Sequence, residues 1–246
     1  MKKTQWNPWH GCHKCSPGCL NCFVFYLDKR YKRETNVVVK SKTNFDLPLR
    51  KDRAGHFKIA SGSEVATCFT SDFFIEEADA WRHEAWKIIR QRKDVNFLIC
   101  TKRIERFNAC LPDDWEDGYD HVFIAVTCEN QEKINERLPI FLNVKAKHKY
   151  IFVSPILEDV DLSRYLQTAA FELVSVAGES YENARICRFD WVRHIKQTCD
   201  KYQVAFEFHQ TGSRFVVKDR CYKISHHNEY IQAKRAMDFL EKEKLK

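Results

Sequence analysis

From residue 64 onward, short apolar segments alternate with longer amphipathic ones, and this alternation constrains the fold more than any other feature. The short segments are rich in valine, isoleucine and phenylalanine, as strands are. They lie at 64–70, 95–100, 121–127, 149–153, 171–176 and 204–208. Helical spacing of apolar side chains is clearest at 77–92 and 190–202. Strands that alternate with helices form parallel sheets, so we predict an α/β protein, a full or partial (β/α) barrel of six to seven parallel strands.

The chain has 246 residues, and α/β barrels of this length fold as one domain. We therefore predict a single domain over residues 1–246. Its expected parts are a cysteine loop and first helix at 1–35, a surface insertion at 36–62, βα units at 63–215, and a C-terminal tail and helix at 216–246. Within these parts we predict a helix from Phe23 to Arg33, an edge strand at 37–39 and a final helix at 228–246.

Composition limits the classes of partner. No apolar run approaches the roughly 18 residues that a membrane span needs, and Lys2-Lys3 is not followed by the apolar stretch of a signal peptide. We expect a cytoplasmic protein without membrane contact, in a compartment where clustered cysteines bind metal more often than they form disulfides. The formal charge of +7 fits either an anionic partner such as nucleic acid or a solvated basic surface.

Four of the eleven cysteines lie within eleven residues, at Cys12, Cys15, Cys19 and Cys22. Pro17 and Gly18 interrupt any helix there, so the backbone has to curl, and a curled loop of thiolates is a metal site. The spacing allows two sets of three ligands. Cys15, Cys19 and Cys22 form Cys-x3-Cys-x2-Cys, whereas Cys12, Cys19 and Cys22 form Cys-x6-Cys-x2-Cys.

The number of ligands decides the chemistry. Three thiolates would leave one iron of a 4Fe–4S cluster open to a substrate or cofactor, as catalytic metals require. Four thiolates would resemble a ferredoxin and favour electron transfer. A zinc site is less favoured, because zinc ribbons usually separate their two cysteine pairs by a dozen residues or more, and here three intervene.

Polar residues follow almost every predicted strand. Because the loops after the strands of a barrel converge on its carboxyl rim, these residues are candidates for ligand binding, although serine, threonine and aspartate there also cap helices. Our candidates for cofactor contacts are Lys102, Arg103, Glu129 and Glu179. Cys68, Cys100 and Cys128 are expected in the core, with a hydrogen-atom donor as the alternative for one of them. No phosphate-binding glycine loop or serine nucleophile motif is present.

Several segments together resemble one protein family. They are Trp6–Cys12, Ser16–Cys22, Thr101–Arg103, Glu129–Gln131, Arg137–Pro139, Ala146–Lys149, Gly178–Ser180, Asn183–Arg185, Asp190–Val192, Gln210–Gly212 and Gln232–Lys234. The family is the three-cysteine-motif family of phage-type and bacterial proteins, a domain of unknown function usually grouped with radical S-adenosylmethionine (SAM) barrels. The chain departs from its pattern at Phe23, where tyrosine is common, and at Ala177, where glycine is common.

The resemblance implies a barrel of the radical SAM type, with Cys12, Cys19 and Cys22 as ligands of a 4Fe–4S cluster. It implies an enzyme that cleaves SAM reductively to a 5′-deoxyadenosyl radical acting on an unidentified substrate, for which nucleic acid or a nucleobase is our expectation. Such an enzyme would need an electron donor of the flavodoxin or ferredoxin type. The alternative is a non-catalytic nucleic-acid-binding or redox module with a structural zinc or iron–sulfur site.

Overall fold

A computed structural model of the protein describes residues 2–244, and the side chains of residues 2–242. Met1 and the last two residues of the predicted C-terminal segment lie outside this range. Contacts divide the chain into two compact units that interleave in sequence. The first unit comprises Met1–Cys15, Leu27–Val126 and Ile140–Lys149, and the second comprises Ser16–Tyr26, Thr127–Pro139 and Tyr150–Lys246.

Twelve strands are present within the described range. They are β1 (Lys3–Trp6), β2 (Trp9–His10), β3 (Val39–Lys40), β4 (Glu64–Thr67), β5 (Asn96–Thr101), β6 (Val122–Thr127), β7 (His148–Val153), β8 (Leu173–Ala177), β9 (Cys187–Arg188), β10 (Ala205–Gln210), β11 (Arg214–Val217) and β12 (Arg220–Lys223). Six α-helices accompany them: α1 (Phe23–Arg30), α2 (Asp79–Gln91), α3 (Gln131–Leu142), α4 (Ser163–Leu166), α5 (Phe189–Tyr202) and α6 (Glu229–Lys244). None of these helices is long and apolar enough to cross a membrane.

The first unit contains four parallel strands in the order β1, β4, β5 and β6. Large aromatic side chains fill its core, and their rings meet edge to face or tilted, the geometry that aromatic pairs prefer. Trp6 contacts Phe97 with ring centroids 5.8 Å apart, and Trp86 contacts both Phe73, at 4.9 Å, and Trp115, at 5.2 Å.

The second unit contains the parallel strands β7, β8 and β10, in that order. Helix α5 buries its apolar face, including Val192, Ile195 and Cys199, and ends where Gln203 adopts a left-handed conformation with φ of 59°. A smaller sheet in this unit has the order β12, β11 and β9.

The predicted α/β class with six to seven parallel strands is confirmed, since four parallel strands lie in the first unit and three in the second. Each predicted segment in the alternating region coincides with a strand or helix within about three residues. The largest difference in a strand is at β4, which ends at Thr67 because Cys68 has a φ of 62° and leaves the extended conformation. The first helix ends at Arg30, before Lys32, which has a φ of 54°.

Segment 36–62, the predicted surface insertion, belongs to the first unit and packs on the rest of it through hydrogen bonds. The indole nitrogen of Trp6 donates hydrogen bonds to the carbonyls of Asn44 (3.1 Å) and Phe45 (3.0 Å). Arg92 is 1% exposed and donates to the carbonyls of Pro48 and Ile59 (2.7 Å to the latter). The predicted strand at 37–39 is wrong at its first two residues, because β3 starts only at Val39.

We expect Arg92→Met to release this segment, because the variant removes a guanidinium that satisfies two buried carbonyls and pairs with Asp94. The free energy of unfolding should fall by about 2–4 kcal/mol, measured in urea, since two buried carbonyl acceptors would lose their donor. Limited proteolysis should cleave within residues 44–60. Arg53→Met, at an exposed position, is the control. Equal stability of the two variants would contradict the claim that Arg92 holds segment 36–62 in place.

The same pair predicts a pH dependence. Hydrogen bonds from Arg92 lower the pKa of Asp94 from 3.8 to about 2. A lowered pKa stabilises the fold above the ordinary value, and that stabilisation is lost as the pH falls through about 2. In Arg92→Met the pKa of Asp94 should return toward its ordinary 3.8, so most of this pH-dependent component should be absent, which thermal unfolding between pH 2 and 5 measures.

Candidate functional site

The cysteine segment, residues 12–22, begins in the first unit, where backbone contacts fix its start. Gly11 has a φ of +98°, and a Cβ atom there would lie 2.4 Å from the carbonyl oxygen of Val37. Its amide donates to the carbonyl of Thr70 (3.2 Å), and the Cys12 amide donates to the carbonyl of Thr35 (2.8 Å). Only glycine fits this combination of close approach and left-handed backbone, so Gly11 sets where Cys12 lies.

Arg103, which follows β5, holds the next part of the segment. One guanidinium nitrogen lies 3.8 Å from the Cys12 sulfur and 3.2 Å from a carboxylate oxygen of Asp72. The other terminal nitrogen donates to the carbonyl of His13 at 2.9 Å. A positive charge beside a thiol favours the thiolate, which is the form that binds metal.

Asp72 fixes Arg103 in turn. Its carboxylate is buried and accepts hydrogen bonds from the Thr101 hydroxyl (2.7 Å) and from the amides of Lys102 (2.9 Å) and Phe74 (3.0 Å). Each strand-end group therefore has a defined position before any ligand binds. Burial alone would lower the pKa of Arg103, but Asp72 and the sulfurs of Cys12 and Cys15 raise it above its ordinary value, so the guanidinium stays charged.

In the second unit the segment turns over a buried glutamate. Pro17–Cys19 forms one turn of 3-10 helix, and the Gly18 amide donates to Glu129 at 2.9 Å. A Cβ atom on Gly18 would lie 3.0 Å from the Glu129 carboxyl carbon, so glycine permits this approach. Glu129 is fully buried, and its other oxygen accepts a hydrogen bond from Arg137 (3.0 Å). The pair supplies a fixed acceptor directly after β6.

The end of the segment is held by Glu179, which follows β8. Its carboxylate accepts a hydrogen bond from the Asn21 side chain (3.0 Å) and several from Arg185, whose guanidinium also donates to the carbonyl of Pro17 (2.9 Å). Burial alone would raise the pKa of Glu179, but the hydrogen bonds from Arg185 and Asn21 lower it below 4.5. Glu179 is therefore ionised at neutral pH.

Two glycines clamp the backbone around Glu179. A Cβ atom on Gly178 would lie 2.3 Å from the carbonyl oxygen of Thr211, and one on Gly212 would lie 2.5 Å from that of Glu179. The Ser213 amide also donates to the Glu179 carbonyl at 2.7 Å. The two backbone stretches touch without intervening side chains, which fixes the backbone from which the carboxylate extends.

Of the four predicted cofactor contacts, Arg103, Glu129 and Glu179 bind the cysteine segment itself, while the Lys102 backbone binds Asp72. Of the predicted metal ligands, Cys12 and Cys15 belong to the first unit, whereas Cys19 and Cys22 belong to the second. Residues 2–244 contain no group of three or more His, Cys, Asp or Glu side chains placed to hold a metal ion. The ligand set therefore remains a prediction from the chemistry and spacing of the thiols.

Sequence reasoning missed three residues that the structure makes central, namely Asp72, Arg137 and Arg185. Asp72 ends a polar cluster after β4, where capping seemed as good an explanation as binding. Both arginines lie in segments that carry the family resemblance, and each follows its buried glutamate by six or eight residues. That spacing, on a loop or helix after a strand, is the signal that could have identified them.

Burial decides the roles of other candidates. Trp6 and Trp9 are fully buried, so both indole rings pack inside the protein rather than against a ligand at the surface. Cys68 is 1% exposed, and burial raises its pKa well above 9, so it stays a thiol. The hydrogen-donor hypothesis for Cys68, Cys100 or Cys128 stays a prediction.

We expect Glu179→Gln to destabilise the protein by about 2 kcal/mol at pH 7, because charge-assisted hydrogen bonds to Arg185 and Asn21 are weakened. Since its lowered pKa stabilises the fold above 4.5, the wild type should lose that stability as the pH falls below 4.5, and the variant should lack this component. Urea unfolding between pH 3 and 7 measures both. Glu182→Gln, at an exposed position, is the control. If Glu179→Gln and Glu182→Gln lost stability with pH in the same way, the role of Glu179 would be contradicted.

Comparison with known proteins identifies one family that the chain matches. A family described as proteins of unknown function (DUF5131) matches residues 1–241, a range that includes the cysteine segment and every residue that binds it. No curated protein and no solved structure matches the chain. The match agrees with the resemblance to a domain of unknown function that the sequence motifs indicated, and the chain belongs to this family.

Proposed function

We propose that the protein is a radical SAM-like iron–sulfur enzyme in which Cys12, Cys19 and Cys22 hold a 4Fe–4S cluster. One observation carries the proposal: charged residues that directly follow parallel strands β5, β6 and β8 bind the cysteine segment. In α/β proteins with parallel strands, ligands bind at the carboxyl ends of the strands. A metal-ligating loop held there is suited to catalysis, whereas a purely structural metal has no need of that location.

The residues fit an iron–sulfur cluster by the chemistry of their donors. Four thiols within eleven residues are soft ligands, the kind that iron–sulfur clusters use. The guanidinium of Arg103 near the Cys12 sulfur would offset the negative charge of thiolates. Ser16 and Cys19 lie close together, with the Ser16 hydroxyl 3.7 Å from the sulfur, and hydrogen bonds to sulfur tune the potential of such clusters.

Cys12, Cys19 and Cys22 would hold the cluster, and with one iron open and in its reduced form it would supply the electron for cleavage of SAM to methionine and a 5′-deoxyadenosyl radical. The residues of this chain hold the cysteine segment and place charged groups beside it. Arg103 remains a cation beside Cys12, and Glu129 and Glu179 fix the turn between Gly18 and Asn21. The electron must come from a one-electron donor of the flavodoxin or ferredoxin type. Nucleic acid or a nucleobase is the substrate class that we favour.

A different observation favours the second candidate, a redox carrier or nucleic-acid-binding module with four cysteine ligands. The sulfurs of Cys12 and Cys15 both contribute to raising the pKa of Arg103, so both cysteines lie close enough to interact electrostatically with the same guanidinium. Ligation by all four cysteines would leave no iron open for SAM. Zinc in the purified protein, with no iron, would make the site structural.

The catalytic proposal predicts products. After anaerobic reconstitution with iron and sulfide, reduction with dithionite in the presence of SAM should release 5′-deoxyadenosine and methionine, measured by chromatography. Cys19→Ala should abolish both products, because both ligand sets share this residue. Cys221→Ala, which removes an exposed cysteine outside the segment, should retain them. An intact 4Fe–4S spectrum with neither product would reject catalysis on SAM and favour the redox carrier.

The ligand set predicts a difference between two neighbouring cysteines. Cys12→Ala should lose most of the iron that the wild type binds on reconstitution, whereas Cys15→Ala should keep it and keep SAM cleavage. Iron and sulfide analysis with electron paramagnetic resonance measures this. The opposite pattern would assign Cys15, Cys19 and Cys22 as the ligands. Loss of iron in both variants would indicate four-cysteine ligation.

A further inference from the structure

The β11–β12 hairpin, residues 214–223, projects basic side chains from the second unit. Strand β12 is exposed along its whole length, and the hairpin carries four exposed cations, at Arg214, Lys218, Arg220 and Lys223. Asp219 is its one carboxylate, so the ten residues contribute a net +3 (four cations minus one anion) to the total of +7. Nearly half of the excess charge is therefore concentrated on one short ribbon.

The hairpin is rigidly mounted. Phe215 and Val216 are buried, and the Phe215 ring contacts Phe189 (5.7 Å between centroids) and Phe208 (5.8 Å). Strand β11 also pairs in parallel with β9. The base of the ribbon thus belongs to the core of the second unit, and the charges on β12 and the turn are presented in fixed positions.

Two of the cations occupy positions that cost stability. Arg214 lies directly opposite Lys223 in the antiparallel register, and like charges in that arrangement repel. Lys218, at the turn, has a φ of 53°, a conformation that glycine or asparagine adopts at lower cost. Both features lower the stability of the protein on its own, and both place positive charge where an anionic partner would stabilise it.

The cations also point to both sides of the ribbon. Side chains alternate along a strand, so Lys223 and Arg214 share one face while Arg220 lies on the other. Among the described residues, none of the four forms an ion pair. The Arg220 guanidinium stacks 4.9 Å above the Tyr222 ring, which is 38% exposed, so an aromatic face also lies at the surface.

We propose that the hairpin is a binding site for double-stranded nucleic acid, with the ribbon entering a groove and its two faces contacting the phosphates of the opposite walls. Strand β9 pairs with β11 only at Phe215 and Val216, so the hairpin beyond them is a two-stranded β-ribbon. Such a ribbon fits the major groove, and cations on both faces match the groove's two rows of phosphates. The inference does not rest on the iron–sulfur proposal, because the hairpin contains none of the proposed cluster ligands.

The test compares two variants of the full chain that lose the same charge. The hairpin variant is Arg214→Gln, Lys218→Asn, Arg220→Gln and Lys223→Gln. The control variant changes four exposed cations that lie outside the hairpin and form no ion pair within residues 2–244, namely Lys29→Gln, Lys42→Gln, Arg53→Gln and Lys87→Gln. Fluorescence anisotropy with a labelled DNA duplex of about 20 base pairs gives the affinity of each protein between about 50 and 200 mM salt.

The wild type should bind the duplex with an affinity that falls steeply with salt. The hairpin variant should bind at least tenfold more weakly, and the slope of log affinity against log salt should fall by about 0.9 for each phosphate that the variant no longer neutralises. The control variant should bind within about twofold of the wild type. The midpoint of thermal unfolding of the hairpin variant should be no lower than that of the wild type, since the Arg214–Lys223 repulsion is removed.

Three outcomes would overturn the proposal. The wild type could fail to bind the duplex at about 50 mM salt, or the control variant could weaken binding as much as the hairpin variant, which would make the effect one of net charge. Hairpin-dependent binding to vesicles containing phosphatidylserine, with no duplex binding, would assign the surface to a membrane instead. The assay needs no iron or SAM, so its failure and the absence of 5′-deoxyadenosine are separate results.

Discussion

The cysteine segment contains almost no apolar side chain that could bury it, and this constraint explains the polar residues around it. Leu20, its one large apolar residue, is 60% exposed. A segment without a hydrophobic face gains little from packing, so hydrogen bonds and charges must fix its conformation. Arg103 with Asp72 does so in the first unit, and Glu129 and Glu179 with their arginines do so in the second.

These charged groups are costly to bury, so stability alone does not account for them. Removing an ion pair such as Glu129 and Arg137 from water offsets much of the attraction between them, and apolar residues of similar size would often stabilise a core as well. What apolar residues could not supply is an acceptor for the Gly18 amide at a fixed point after β6. The buried charges define the geometry of a loop that carries thiols, which is what the proposed iron–sulfur site would require.

Much of the fold follows from local patterns in the sequence. Strands β4 to β8 and β10, and helices α2 and α5, have apolar periodicity of their own, so their positions were predicted closely. Strand β1 was missed because Lys-Thr-Gln-Trp has no such pattern and forms a strand by pairing with β4. The short strands β9, β11 and β12 were missed for a related reason, since tertiary contacts rather than periodicity define them.

For the site, the role of the predicted residues in cofactor binding stays a prediction, and the structure adds that three of them bind the cysteine segment. Arg103, Glu129 and Glu179 were chosen for their positions after strands, and those positions are the ones that hold the cysteine segment. Their partners could not be predicted, because a contact such as Asn21 to Glu179 joins residues 158 positions apart. Only the three-dimensional path of the chain shows that the carboxylates of Glu129 and Glu179 accept hydrogen bonds from the cysteine segment.

The clamped backbone around Glu179 has a mechanical consequence. At Gly178 and Gly212 the backbone stretches approach too closely for a Cβ atom to fit between them, whereas Asn21 reaches the carboxylate through a single side-chain amide. A ligand that competes for this carboxylate would therefore displace the amide, while the acid itself stayed still. In this unit the backbone after β8 is the fixed part of the contact, and the Asn21 amide is the partner that such a ligand would replace.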